Sequence, residues 1–174
     1  LEEESGHKAY GTPLVEGQAL LQLGRYEEAM ASFREALARA DAGERPHVLH
    51  EMGVAALDRG AHPEAEDHLS AVVRGAASPY LAQAYADLAE ALYRQGRYQE
   101  AEAAAREAVA RGAVAAGELV LGHVAYDLLH LEEALEHYRK AAESAEEGSR
   151  EWVGAQEMVV DTLAQLGYRF PEEM

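Results

Sequence analysis

Cysteine is absent from this chain of 174 residues, and proline is scarce, at 5 residues. The lack of cysteine excludes disulfides and thiolate metal sites, and it fits a reducing compartment such as the cytoplasm. Aromatic residues make up only 7% of the chain, whereas hydrophobic residues make up 48% and are largely Ala and Leu, which favour helices. No alternating run of Val, Ile or Thr predicts a strand. The composition therefore predicts an all-α fold.

Basic residues are also few, with 15 Lys and Arg against 32 Asp and Glu, so the net charge is -17. This charge repels nucleic acid and anionic membrane surfaces, and a neutral or basic protein is the partner that we expect. The alternative interpretation is that the acidic surface serves solubility alone. No apolar run approaches the roughly 20 residues of a membrane span. The start, Leu1-Glu2-Glu3-Glu4, is not a signal peptide and lacks Met. We expect a fragment or a mature product in the cytoplasm.

A repeat organises what the chain does contain. Its aligned stretches are GRYEEA at 24–29, GAHPEA at 60–65, GRYQEA at 96–101 and LHLEEA at 129–134. The last alanines of these stretches stand 36, 36 and 33 residues apart. Gly at the first position suits the left-handed residue that ends a helix, and the acidic residues that follow suit the N-terminus of the next one. Each stretch thus predicts a turn between two helices, although the fourth has Leu129 in place of Gly.

These turns and their spacing resemble the tetratricopeptide-repeat (TPR) family, whose unit is a pair of antiparallel helices over about 34 residues. The resemblance implies an all-α, right-handed α-α superhelix, a TPR solenoid of four helix pairs plus a C-terminal capping helix. The predicted helices are 12–23, 27–40, 46–59, 63–74, 79–94, 98–111, 114–128, 132–145 and 150–166. The predicted divisions are a flexible acidic arm at 1–9, repeats at about 10–45, 46–81, 82–114 and 115–148, and the capping helix and tail at 149–174.

Local patterns refine these helices. Small residues such as Gly17, Gly53 and Gly122 recur where paired helices should touch, and larger side chains fill the neighbouring gaps. Thr12-Pro13 and Ser78-Pro79 predict an N-cap followed by Pro at the first helical position, and Ser149 predicts the N-cap of the last helix.

In TPR arrays the first helix of each pair lines a concave groove that holds partners. The resemblance therefore implies a partner-binding groove that is partly aromatic and partly acidic, suited to a peptide with apolar anchors and some positive charge. Its predicted residues are Gln18, Gln22, His47, His50, Glu90, Tyr93, Arg94, Leu119, His123, Tyr126 and Asp161. One TPR subfamily grips an acidic chaperone tail with Lys and Asn, and the matching positions here carry no such clamp. Tyr93 and Tyr126 are either an aromatic platform for the partner or packing residues.

Other chemistry has little support in the sequence. His47, His50 and Glu51 lie within one helical turn and His123 could face them, but no firm third ligand follows, so we expect no metal. The remaining histidines, including His137, are interpreted as surface residues. No nucleophile turn or phosphate-binding loop occurs, so we expect neither an enzyme nor a cofactor.

The function predicted from the sequence is that of a non-enzymatic scaffold for protein–protein interaction. Two alternatives stay open: a partner-sensing domain of a bacterial regulator, and a self-assembling adaptor that forms a weak homo-oligomer through exposed repeat ends.

Overall fold

The computed structural model describes residues 9–167, and these residues form nine α-helices and no strand. The helices are α1 Gly11–Gln22, α2 Tyr26–Arg39, α3 Arg45–Arg59, α4 His62–Arg74, α5 Leu81–Arg94, α6 Tyr98–Ala110, α7 Val114–Asp127, α8 Leu131–Ser144 and α9 Arg150–Gln165. Each predicted helix is confirmed, with ends that differ by two residues at most. The predicted arm at 1–9, apart from Ala9, and the end of the predicted tail lie outside the described residues.

The turns within the helix pairs have the predicted backbone. Gly24, Gly60 and Gly96 have φ of 72°, 82° and 75°, in the left-handed region that favours glycine. The N–H groups of Gly60 and Ala61 donate to carbonyls of α3 at 2.9 and 2.8 Å. These bonds satisfy carbonyls that the end of a helix would otherwise leave unpaired.

Two of the predicted N-caps are wrong. Helical hydrogen bonding in α1 already begins with Leu14 N–H donating to the Tyr10 carbonyl at 3.0 Å, so Thr12 lies inside the helix. A turn follows Ser78 and delays the start of α5 to Leu81, and the buried Ser78 hydroxyl has no hydrogen-bond partner. The Ser149 cap is confirmed, since its hydroxyl accepts from the backbone N–H of Trp152 at 3.2 Å.

The chain divides into two compact units, residues 1–84 and 85–174. In the described part of unit 1, α1 packs on α2 and α3 packs on α4. A Cβ atom on Gly17 would lie 2.5 Å from the ring of Phe33, and one on Gly53 would lie 2.5 Å from the side chain of Leu69. The predicted contacts of small residues with large ones therefore hold this unit together.

In the described part of unit 2, α7 packs against α6 and α8, and α9 covers α8 and part of α7. A Cβ atom on Gly122 would lie 2.5 Å from the fully buried ring of Tyr138. Met158 and Val159 of α9 pack on the cluster formed by Ala125 and Tyr138. No helix in the described range 9–167 has the length and apolar character that crossing a membrane requires.

Candidate functional site

Four predicted groove residues lie in unit 1, and two of them share one aromatic neighbour. The ring of His47 stacks on Tyr80 with 4.9 Å between centroids, and that of His50 lies 5.7 Å from the same ring. Gln18 is half-buried, and its side-chain amide donates to a Glu51 carboxylate oxygen at 3.0 Å, while Gln22 is exposed. The structure thus brings the two histidines together around a tyrosine that the sequence analysis did not single out.

An open cleft of about 630 Å³ lies at the turn between α1 and α2 in unit 1. Its lining includes Tyr26, whose hydroxyl donates to a Glu64 carboxylate oxygen at 3.1 Å. Burial, followed by this hydrogen bond, raises the pKa of Tyr26 to about 12. The guanidinium of Arg59 lies 4.1 Å from the ring centroid and pairs with Glu27 at 2.5 Å. These contacts fix the conformation of the tyrosine in the first turn.

In unit 2, Tyr93 lies in a stack of aromatic rings. Its centroid is 5.9 Å from that of Tyr98 and 5.6 Å from that of His123. The Tyr98 hydroxyl donates to a carboxylate oxygen of Asp127 at 3.1 Å. Burial, followed by a hydrogen bond to Asp127, raises the pKa of Tyr93 to about 12. Tyr93 is therefore a packing residue that leaves part of its ring at the surface.

His123 joins this stack to the core of unit 2. Its Nδ1 lies 2.9 Å from the hydroxyl oxygen of Tyr138. Burial lowers the pKa of His123, and the charge of Arg94 lowers it further, against a smaller opposing effect of Asp127. The neutral imidazole is therefore favoured, and its Nδ1 can accept the hydrogen bond of the tyrosine hydroxyl.

The remaining predicted residues of unit 2 have separate surroundings. The hydroxyl of Tyr126 donates to a carboxylate oxygen of the exposed Asp161, which ties α7 to α9. Glu90 pairs with Arg94 along α5 at 3.5 Å. Leu119 is half-buried against the unit 2 core, so most of its surface serves packing. Tyr93 and Tyr126 thus have different neighbours and do not form one stack.

The sequence-based interpretation of His137 as a surface residue is wrong. Its Nδ1 lies 2.6 Å from a carboxylate oxygen of Glu118, which is only 7% exposed. The reason is that α7 and α8 pack closely enough to enclose both side chains. For the metal hypothesis, the described residues contain no group of three or more His, Asp or Glu side chains that could hold an ion.

Sequence reasoning missed Tyr98 as a site residue and did not pair it with Asp127, which ends a first helix. Tyr98 was visible in part, because it occupies the aromatic position of the third turn. The pairing of these two residues depends on how α6 and α7 approach one another, and no local pattern reports that distance.

Comparisons with known proteins identify the type of repeat. Two tetratricopeptide-repeat family models match the chain, one at residues 14–82 and one at residues 81–118. None of the curated proteins compared with the chain matches it in sequence.

Solved structures similar to this chain are TPR proteins of diverse origin. The Cut9–Hcn1 hetero-tetramer of the APC/C contains a chain with 19% identity and a TM-score of 0.71, covering 89% of this chain and 30% of that one. PilF of Pseudomonas aeruginosa has 13% identity and a TM-score of 0.72, with coverage of 97% and 79%. The first TPR of Spaghetti (RPAP3), bound to the HSP90 peptide SRMEEVD, has 24% identity and a TM-score of 0.59, with coverage of 72% and 96%. At these identities the likeness concerns the fold, and this chain spans less than a third of its Cut9–Hcn1 counterpart.

Proposed function

Since the chain belongs to the tetratricopeptide-repeat family, whose members are generally non-catalytic interaction scaffolds, we propose that it binds a segment of another protein on the faces of its first helices. The proposed segment is neutral or basic and carries apolar anchors. A cytoplasmic location and the absence of enzymatic activity stay predictions.

One observation carries the proposal: unit 2 presents carboxylates held by tyrosine hydroxyls. Asp127 accepts from Tyr98, and Asp161 accepts from Tyr126. Both carboxylates are exposed, and the half-buried ring of Tyr93 lies 5.9 Å from that of Tyr98. A Lys or Arg side chain would gain a charge-assisted hydrogen bond at such a carboxylate and a cation–π contact at a ring.

The same carboxylates disfavour an acidic ligand. The HSP90 peptide bound to the RPAP3 domain, SRMEEVD, ends in two Glu, a Val and an Asp. Such a tail would face Asp127, Asp161 and the net charge of -17. We therefore propose that this chain prefers basic segments, whereas a domain that binds acidic tails prefers acidic ones.

Two labelled peptides test this preference by fluorescence anisotropy: SRMEEVD, and a basic counterpart, SRMKKVK. We expect the basic peptide to bind and the acidic one not to bind. Asp161→Asn should weaken the basic complex roughly tenfold, which corresponds to about 1.4 kcal/mol.

Glu143→Gln is the matched control, because it removes one exposed charge elsewhere on unit 2. Equal affinity for the two peptides, or an equal loss with both variants, would contradict the proposed site.

Exposed apolar side chains favour self-assembly as a second candidate function. Val15 on α1 is 63% exposed, and Val153 and Val160 on α9 are 42% and 51% exposed. Exposed apolar faces of repeat helices can stack against one another. Sedimentation velocity at several protein concentrations tests this candidate, and a strict monomer would exclude it.

A further inference from the structure

The turn between α7 and α8 departs from the other turns in one residue. Leu129 has a φ of 62°, close to the values of the glycines that occupy the equivalent position elsewhere. Its N–H donates to the Tyr126 carbonyl at 2.9 Å, and that of His130 donates to the Ala125 carbonyl at 2.9 Å, which is the geometry of the glycine turns. The backbone is thus unchanged, and a branched side chain is held in the left-handed region that it disfavours.

Packing of the Leu129 side chain does not explain why a leucine occupies this left-handed position. Leu129 is 79% exposed, and its neighbour Leu128 is 47% exposed. A residue in this strained conformation that buries so little of its own side chain gains little from packing. Retained strain of this kind points to a function outside the fold.

A cleft of about 220 Å³, the turn cleft, is lined in part by Leu128 and by His130, the residues on either side of Leu129 in the chain. Its apolar lining residues are Leu121, Val124, Ala125 and Leu128. Its polar lining residues, here called the rim, are Glu102, His130, Glu133 and His137. The turn cleft contains none of the predicted groove residues and draws its rim largely from second helices.

The rim favours a positively charged group. The Glu133 side chain is 55% exposed, and its oxygens lie 3.6 Å from Nδ1 of His130 and 3.8 Å from Nε2 of His137. Glu102, which pairs with Arg106, is 33% exposed at the same rim. Glu133 therefore has no guanidinium or ammonium partner among these contacts, and a partner's cation can supply one.

We propose that the α7–α8 turn and the turn cleft form a second docking site, separate from the groove, for an amphipathic basic helix of a partner protein. The helix would rest apolar side chains on Leu128 and Leu129 and place a Lys or Arg at Glu133. Burial of an exposed apolar pair against an apolar face supplies the attraction, and the acidic rim selects the sign of charge.

The test uses a synthetic amphipathic helix with leucines on one face and lysines on the other. Binding is followed by methyl NMR of Val124 and Leu129 at physiological salt. Leu129→Gly should keep or raise the thermal midpoint, because it relieves backbone strain, and should weaken binding at least fivefold. A variant that is no less stable yet binds less well cannot be explained by unfolding.

Leu23→Ala is the matched control, since Leu23 is 70% exposed just before the glycine of the first turn. The Leu23→Ala variant should bind the synthetic helix with the affinity of the parent chain. In the Asp161→Asn variant, the helix should still change the methyl chemical shifts of Val124 and Leu129 by the same amount as in the parent chain. This result would separate the turn cleft from the groove. The proposal is overturned if the helix does not shift these methyl signals, or if Leu129→Gly binds as well as the parent chain.

Discussion

At the scale of single residues, stability depends on where a side chain is missing. Gly122 allows the ring of Tyr138 to lie against α7, and that ring is fully buried. Interiors are packed closely enough that one added methyl group is felt. The same residue type in α9, Gly154, faces open space. The neighbouring side chains therefore decide whether a glycine in these helices is needed for close packing.

The first prediction concerns this pair of glycines. Gly122→Ala should lower the free energy of unfolding by roughly 1–3 kcal/mol, because the new Cβ would overlap the Tyr138 ring. Gly154→Ala should raise it by up to about 1 kcal/mol through helix propensity alone. Chemical denaturation of both variants measures the two effects, and equal effects would refute the assigned contact.

At the scale of secondary-structure elements, His123 connects three helices. It stacks on Tyr93 of α5, hydrogen-bonds to Tyr138 of α8 and itself belongs to α7. Arg94 and Asp127 are the charged groups that act on its ring. Because burial lowers the pKa of His123, the unfolded chain binds a proton more readily than the folded one as the pH falls.

The second prediction follows from the lowered pKa of His123. The contribution of His123 to stability is present above its ordinary pKa, near 6.5, and is lost as the pH falls through the lower pKa of the folded state. The loss amounts to at most about 1.4 kcal/mol per pH unit. Denaturation between pH 7 and pH 5.5 measures it, and His123→Gln should flatten the slope.

His130→Gln serves as the control, because the side chain of His130 is 62% exposed. It should preserve the slope of the parent chain. If His123→Gln and the parent chain lose stability equally with falling pH, the buried histidine is not the cause.

The sequence predicted these elements more fully than it predicted their contacts. Repeated Gly and Glu positions located all nine helices of the described part to within two residues. The Thr12 and Ser78 caps were wrong, because the same Ser/Thr-Pro pattern also occurs inside a first turn or before an extra turn. Similarly, His137 has the sequence surroundings of a surface histidine, and only the approach of α7 to α8 encloses it.

At the scale of the whole molecule, charge sets the class of partner. The excess of acidic residues gives a net charge of -17, which extends its effect beyond any single site. In both proposed sites, carboxylates accompany apolar or aromatic side chains. Long-range attraction and local recognition therefore favour the same basic partner.

The third prediction is a strong dependence on salt. Affinity for the SRMKKVK peptide should fall roughly tenfold between 50 and 500 mM NaCl, since the screening length shortens severalfold over that range. Anisotropy titrations at several salt concentrations measure this dependence. Affinity that does not change with salt would mean that apolar contacts alone hold the peptide.

The sequence by itself determined the helix pairs, the recurring positions of the small residues and the acidic character of the chain, because each is a local or compositional property. Only the tertiary structure decided which side chains of the candidate sites are free. Tyr93, predicted as a groove residue, is largely engaged in a stack, and Asp127 and Asp161 are held by tyrosines from other helices. Such pairings depend on distances between helices, which packing sets and which no single stretch of sequence encodes.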